Sequence, residues 1–496
     1  MDLKKLQNGS DIRGIALGAG ATLTNEAAQL LAAAFVQWLE GKGVKAPTVA
    51  VGMDSRLSGP ALKSACATGL TGMGANVIDC GMASTPAMFM TTVTAGFMAN
   101  GAIMVTASHM PSDRNGLKFF TKDGGLEKAD IADLISIAET GMRDVATPGT
   151  VTEKDFMSVY AAMLADKITD ATGEARPFAG LKIIVDAGNG AGGFYVDKVL
   201  KPLGADTAGS QFLEPDGAFP NHIPNPEDPA AMQSIVDAVV RTGADFGVIF
   251  DTDVDRAGAV DAGGVVLNRN RLIAVISAIL IGAHPGTTIV TDSVTSSGLA
   301  DFIQGLGGKH HRFKRGYKNV INESIRLNSE GTDSQLAIET SGHAALKENY
   351  FLDDGAYLVT RILIEMAKLK KQGKTIADLI ADLAEPAEGE EFRLTITAED
   401  FASYGRAMLG ELEAYVKEKS GFHIAPDNHE GIRVSFDKAD GDGWFIVRLS
   451  LHDPVIPVNV ESDSAGGVRV ITQKLYDFLK KFDRLDLSSM EKYLEQ

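Results

Sequence analysis

Only two cysteines, Cys66 and Cys80, occur in 496 residues, so the sequence implies no disulfide framework and fits a reducing compartment. Long apolar runs are also missing, and no stretch has the length and unbroken apolarity of a membrane span. The start, Met1-Asp2-Leu3-Lys4-Lys5, lacks the apolar core of a secretion signal. A cytoplasmic location away from membranes is therefore expected. Positive charge is in short supply: 47 Lys and Arg face 65 Asp and Glu, a net charge of −18. That balance argues against nucleic acid or an anionic membrane as partner. Anionic small molecules are not excluded, because a local cluster of Arg, Lys and backbone N–H groups can hold them.

What is present describes a globular protein, with 45% hydrophobic and 23% charged residues. The length suits three or four domains. Apolar strands and amphipathic helices alternate through most of the chain, the pattern of a mainly parallel sheet covered on both faces. The spacing predicts helices over 25–40, from 58 or 59 onward, over 229–241 and over 354–371, and strands over 48–52, 102–105, 181–185, 246–250 and 335–338. Turn-rich junctions divide the chain into α/β units over 1–150, 151–260 and 261–385. Beyond them, strands over 392–396, 431–436 and 444–447 with helices over 401–419 and 468–482 predict an α+β domain over 386–496. The expected fold class is α/β: three similar mixed-sheet domains and a C-terminal α+β domain.

Several strands open into loops dense in chemistry. The run Ala102-Ile103-Met104-Val105 exits into Thr106-Ala107-Ser108-His109 and on to Asn115-Gly116-Leu117-Lys118, placing a hydroxyl, an imidazole and an ammonium within eleven residues. Strand exits are where open α/β sheets bind ligands, although an ordinary polar turn reads the same way. After Phe246-Gly247-Val248-Ile249-Phe250 come Asp251, Asp253 and Asp255, whose side chains share one face if the segment is extended. Three carboxylates so close repel unless a cation lies among them, and hard oxygen ligands suggest Mg²⁺. An EF-hand is excluded, because Arg256 stands where its turn glycine is needed and Ala262 where its bidentate Glu is needed. Arg256 beside the acids suits a phosphate.

Glu339, Ser341 and His343 alternate similarly and could grip vicinal sugar hydroxyls or simply end a strand. Lys314, Arg315 and Lys318 add positive charge, with a solvated surface as the plain alternative. Arg448, Ser450 and His452 could hold a phosphate, whereas Arg433 reads as a surface residue. The loop Asp186-Ala187-Gly188-Asn189-Gly190-Ala191-Gly192-Gly193 matches no nucleotide fingerprint and reads as a tight turn. The four prolines of 214–226 mark a rigid, irregular connection.

Together these loops resemble the α-D-phosphohexomutases, in the phosphomannomutase/phosphoglucomutase group. Thr106 to Lys118 is similar to that family's phosphoserine loop, Asp251-Thr252-Asp253-Val254-Asp255-Arg256 to its metal loop and Glu339-Thr340-Ser341-Gly342-His343 to its sugar loop. Asp11-Ile12-Arg13-Gly14 and Pro215-Asp216-Gly217 through Pro224-Asn225-Pro226 match as well, all in the family's order. The resemblance implies four domains around a central active-site cleft. It implies a mutase that interconverts hexose 1-phosphate and hexose 6-phosphate, of mannose or glucose, through hexose 1,6-bisphosphate. Ser108 would carry the phosphoryl group, with Mg²⁺ on Asp251, Asp253, Asp255 and the phosphorylated Ser108. Lys118 and Arg256 would stabilise charge, His109 or Lys118 would handle protons, and Arg13 would be a further contact. Lys318, Glu339, Ser341 and His343 would bind substrate with Arg448, Ser450 and His452. The expected partner is a phosphosugar, and the assembly a monomer or homodimer.

One departure bears on substrate choice. The family's phosphate loop usually reads Arg-x-Ser-Asn-Thr-x-Pro, whereas this chain has Arg448-Leu449-Ser450-Leu451-His452-Asp453-Pro454. Leu451 removes a polar group, Asp453 adds negative charge and His452 can replace the missing hydroxyl. Thr340 also stands where phosphoglucosamine mutases usually carry Gln. A phosphoglucosamine mutase, a hexose 1,6-bisphosphate synthase and a non-catalytic sugar-phosphate-binding homologue are the alternatives.

Overall fold

The computed structural model describes residues 2–143, 145–450 and 453–496. The chain forms two compact units, one from Met1–Asn268 with Ser341–Asp378, the other from Arg269–Thr340 with Leu379–Gln496. No helix among the described residues is long and apolar enough to cross a membrane.

In the first unit, the leading sheet is mixed rather than mainly parallel. Thr48–Met53, Asn76–Met82, Gly101–Val105 and Val151–Glu153 run parallel, but Arg114–Thr121 pairs antiparallel with both Gly101–Val105 and Asp11–Ile15. The reason is loop length. A parallel neighbour needs a crossover of a dozen residues or more, and the 106–113 connection is too short, so the chain doubles back. Helix Asn25–Gly41 is capped by Thr24, whose Oγ1 accepts from the Ala27 N–H at 3.2 Å. It covers the sheet with Phe35, fully buried and edge-on to Phe119 at 5.1 Å. Burying such a ring contributes about 1.5–3 kcal/mol.

A second, four-stranded sheet pairs Ile183–Asp186 parallel with Phe246–Phe250, then Ala257–Asp261 and Val265–Val266 antiparallel. Helix Pro229–Thr242 packs on it; Asp228 caps its start and Gly243, in the left-handed region, ends it. The returning segment carries helix Gly355–Lys371, whose cap Asp354 accepts from the Tyr357 N–H at 2.9 Å and from the Tyr160 hydroxyl at 2.6 Å.

The second unit contains the parallel strands Lys309–Arg312, Thr288–Thr291 and Ser334–Ile338, with helices Asn270–Ala283, Ser297–Gly305 and Tyr317–Ser329. Its C-terminal part is wholly antiparallel: Glu388–Thr395, Val455–Ser462, Gly443–Val447, Ile432–Phe436 and His423–Ile424, in that order. Helices Phe401–Glu418 and Gly467–Leu479 close its core of Phe445, Val458, Leu412 and Leu475. The expectation of an α+β region is met there.

Candidate active site

Ser108 leaves the strand Gly101–Val105 in a left-handed conformation, φ 52°, which a residue with a Cβ adopts only at a cost of about 1–3 kcal/mol. The loop that imposes this is tied to Arg56, whose guanidinium is completely buried. Arg56 donates to the carbonyls of Pro111 at 2.7 Å, Arg114 at 2.9 Å and Met110 at 2.6 Å, and also to that of Ser108 itself. Asp54 pairs with Arg56 and accepts from the Thr106 hydroxyl at 2.6 Å, while Thr106 Oγ1 accepts from the Ser108 N–H. Burial pushes the Asp54 carboxyl up to about 6 even though Arg56 and Thr106 oppose it. Gly116 lies against the Ile12 and Thr106 carbonyls with no room for a Cβ. Asp54 and Arg56, just past the strand predicted over 48–52, were not among the expected site residues. The available signal was an acid and an arginine two residues apart at the carboxyl end of an apolar strand.

Asp251, Asp253 and Asp255 converge, although not through an extended segment. The chain turns at Val254, φ 66°, an uncommon conformation for a β-branched residue, and the turn folds the three carboxylates inward. All three are buried and offer oxygens within 4.8 Å of one another. Asp251 Oδ2 accepts from the Ser108 hydroxyl at 2.9 Å. Asp253 Oδ2 accepts from Thr85 at 2.5 Å and from Lys118 Nζ at 2.9 Å, and Lys118 also reaches Asp255 at 2.5 Å. Burial and its two acidic neighbours hold the Asp251 carboxyl well above the ordinary range. Burial pushes Asp255 the same way, but Lys118, His343 and Arg256 outweigh it and leave Asp255 strongly acidic. Asp253 Oδ1 and Asp255 Oδ1 are buried without a hydrogen-bond partner. Orphaned hard oxygens on clustered carboxylates are the donor set of a divalent cation such as Mg²⁺, so these residues fit one.

Arg256 and His109 close the ring around Ser108. Arg256 Nη2 is 2.5 Å from His109 Nδ1 and 3.3 Å from Ser108 Oγ, and its Nε is 3.4 Å from Asp251. Arginine can only donate, so His109 Nδ1 accepts and its proton sits on Nε2. Burial, then the positive charge of Arg256 and Arg13, pushes the His109 imidazole down to about 3, which keeps it neutral. Arg13 lies opposite Gly116 across the antiparallel pair and bonds Asp11 at 2.9 Å. Ser341 Oγ is buried without a hydrogen-bond partner. His343 Nδ1 is 2.5 Å from Asp353 Oδ2. Burial disfavours charge on that imidazole, but Asp353 and Asp255 outweigh it and hold its pKa above the ordinary value.

Lys318, Glu339, Arg448 and Ser450 belong to the second unit. Lys318 is half-buried in the first turn of helix Tyr317–Ser329, and Glu339 Oε1 accepts from the Gly316 N–H at 2.6 Å. The buried Arg448 donates to Asn459 at 3.3 Å and lies 3.9 Å from Glu430. Glu430 also accepts from the Ser293 hydroxyl at 2.6 Å and the Arg315 N–H at 3.1 Å. Asp292 accepts from the Thr340 hydroxyl at 2.7 Å. Glu430 and Asp292 were not anticipated; each sits in a polar run with no distinguishing pattern. Arg433, expected at the surface, is 4% exposed. It lies over the Trp444 ring at 3.6 Å and donates to the Ser293 and Thr295 carbonyls, which replace water as its partners. His452 and Leu451 lie outside the described residues.

Three family profiles match in succession: phosphoglucomutase/phosphomannomutase, alpha/beta/alpha domain I over residues 4–145, domain II over 158–264 and domain III over 268–387. The chain belongs to the phosphoglucomutase/phosphomannomutase family. It is 31% identical over 466 residues to a phosphoglucomutase of Neisseria gonorrhoeae, covering 94% of each chain. It is 30% identical over 476 residues to a phosphomannomutase/phosphoglucomutase of Pseudomonas aeruginosa, covering 95% of each. Among solved structures, a phosphoglucomutase/phosphomannomutase family protein of Burkholderia thailandensis superposes with a TM-score of 0.81 at 27% identity, over 97% of this chain and 98% of that one. The fold class expected from the sequence, three α/β family domains followed by an α+β region, is the one observed.

Proposed function

We propose that this protein is a phosphohexomutase that interconverts the 1- and 6-phosphates of glucose and mannose, with Ser108 as phosphoryl carrier and hexose 1,6-bisphosphate as intermediate. The observation that carries the reading is the Ser108 hydroxyl, buried and 2.9 Å from one of three clustered carboxylates. Asp251, Asp253 and Asp255 would hold Mg²⁺ with an oxygen of phosphorylated Ser108. Bound there, the ion supplies electrostatic stabilisation of charge on the transferring group.

The chain's own residues account for the other requirements. Arg256 is within reach of the phosphoryl oxygens on Ser108, and Lys118 brings a second cation to the same carboxylates. Arg13 adds positive charge on the neighbouring strand. His109 or Lys118 handles the proton of the attacking sugar hydroxyl; His109 can take it at Nδ1, 3.3 Å from Ser108 Oγ, once Arg256 turns from that nitrogen to the phosphoryl oxygens. Ser341, with its unengaged hydroxyl, and His343 contact the sugar, as does Glu339. Arg448, Ser450, His452 and Lys318 hold the phosphate that is not transferred. In this reading the chain divides into four domains at about residues 150, 260 and 385, and acts in the cytoplasm. Both cysteines, Cys66 and Cys80, are buried free thiols, as a reducing environment allows.

Glucose, mannose and glucosamine 1-phosphates assayed with Mg²⁺ and trace hexose 1,6-bisphosphate test the proposal. Turnover of glucose and mannose phosphates that disappears in Ser108→Ala is expected. Absence of turnover on all three sugars would defeat it.

A further inference from the structure

Two motifs stand outside the chemistry described so far: the glycine-rich loop from Asp186 to Gly193 and the proline-rich segment from Pro215 to Pro226. They meet at His222. Its Nε2 lies 3.0 and 3.1 Å from the two oxygens of Asp186, and its Nδ1 lies 2.9 Å from the Ile223 carbonyl. A carboxylate and a carbonyl can only accept, so both ring nitrogens carry protons and the ring is an imidazolium.

We propose that His222 is a positioning residue: clamped as an imidazolium between Asp186 and the Ile223 carbonyl, it fixes Asn225, which sets the Arg256 guanidinium beside Ser108. The connection is short. The Ile223 carbonyl that accepts from His222 also accepts from the Asn225 N–H at 2.8 Å. Pro224 and Pro226 restrict the backbone on either side of Asn225. Asn225 Oδ1 in turn accepts from Arg256 Nη1 at 3.2 Å and from the Glu227 N–H at 3.0 Å, which orients the amide. Arg256 Nη2 then reaches Ser108 and His109.

The surroundings are built to keep the ring charged. The Asp186 side chain is wholly buried and the His222 side chain is 5% exposed. Asp186 also accepts from Gln211 at 2.8 Å, the Gly188 N–H at 2.9 Å and Ser234 at 3.3 Å, so the carboxylate is fixed in place. Two acids face the ring, Asp186 from its strand and Asp228 from the start of helix Pro229–Thr242. Burial disfavours the imidazolium, but the bond and charge of Asp186, the Ile223 carbonyl and Asp228 outweigh it and hold the pKa above the ordinary value. Gly188, φ 53°, is what lets the loop pass so close: a Cβ there would run into Pro224 and the His222 ring. On the other side the Phe212 ring stands edge-on at 5.5 Å. The charged clamp is therefore lost only as pH rises through a value above that of an ordinary imidazole.

The kinetic arm of the test rests on the mutase reading; the spectroscopic arm does not. In the full-length protein, His222→Gln and Asn225→Ala should each lower kcat on the order of tenfold, with KM nearly unchanged. The double variant should lose no more than the worse single one, because both cut the same link. The wild-type kcat should fall on the alkaline side, and that limb should be missing from His222→Gln. Losses that multiply in the double variant, or equal pH profiles, overturn the proposal. Nitrogen-15 spectra of histidine-labelled wild type should show an imidazolium at His222 at pH 7.5, and a neutral ring in Asp186→Asn. A neutral ring in the wild type overturns it whether or not any variant folds. Should the wild type turn over no hexose phosphate, the functional reading fails and the spectrum alone decides the clamp.

Discussion

Replacing Arg56 by lysine tests how the Ser108 loop is held. Arg56 supplies hydrogen bonds to four backbone carbonyls, those of Ser108, Met110, Pro111 and Arg114, from two guanidinium nitrogens set in one plane. A lysine ammonium is a single point with three donors and cannot span the same set. If two carbonyls lose their donor, each costs about 1–3 kcal/mol, more than most point substitutions. The loop can escape that cost by opening to water, so the loss should appear locally rather than in the whole fold. With about 3 kcal/mol removed from the closed form, amides of 108–116 should exchange about a hundredfold faster, since each 1.4 kcal/mol is a factor of ten. Turnover should fall by at least as much, because Ser108 leaves its place beside Asp251. The assay is hydrogen exchange read by mass spectrometry alongside steady-state kinetics, with circular dichroism as the control on folding. A folded Arg56→Lys protein with exchange and turnover within a few-fold of wild type would refute the reasoning.

Chelation with EDTA should abolish turnover and Mg²⁺ should restore it, with Asp253→Asn needing at least about tenfold more Mg²⁺ for half-maximal rate; full activity in EDTA contradicts the metal assignment. Glu461, pushed up to about 7 by burial although Arg433 and Trp444 pull it back, favours folding while protonated and loses that advantage as pH rises through 7. Glu461→Gln should therefore raise the free energy of unfolding more at pH 8 than at pH 5, by ~2–3 kcal/mol in denaturant titrations, and an equal effect at both pH values would count against the buried charge. Asp453 is exposed beside Ser450, to whose hydroxyl its N–H donates at 3.2 Å. Asp453→Thr should lower KM by roughly two- to fivefold, the scale of one screened charge, and an unchanged KM argues that this carboxylate does not touch binding.

The loops that carry the site were legible because each follows an apolar strand and packs unlike polar residues into a few positions. Ser108, Asp251 and Arg256 stand close together as the motifs suggested. The route by which the triad converges was not legible: alternation suggested an extended segment, whereas Val254 turns the chain in a conformation that β-branched residues rarely take. Arg56 escaped notice because the four carbonyls it holds are more than fifty residues away in sequence. Arg433 misled for a different reason. In an alternating strand an arginine reads as solvent-facing, but a tryptophan face and two carbonyls can bury it. The antiparallel return of Arg114–Thr121 was hidden too, since strand and helix alternation reveals order but not direction.

The central claim is that Ser108 carries the phosphoryl group. Intact and peptide mass spectrometry of the purified protein, after hexose 1,6-bisphosphate with Mg²⁺ and then after hexose 1-phosphate, tests it directly. One phosphoryl group should appear on Ser108 in the first step and be lost in the second. A protein that stays unmodified, or one whose phosphate sits elsewhere and is not discharged by the sugar, contradicts the account.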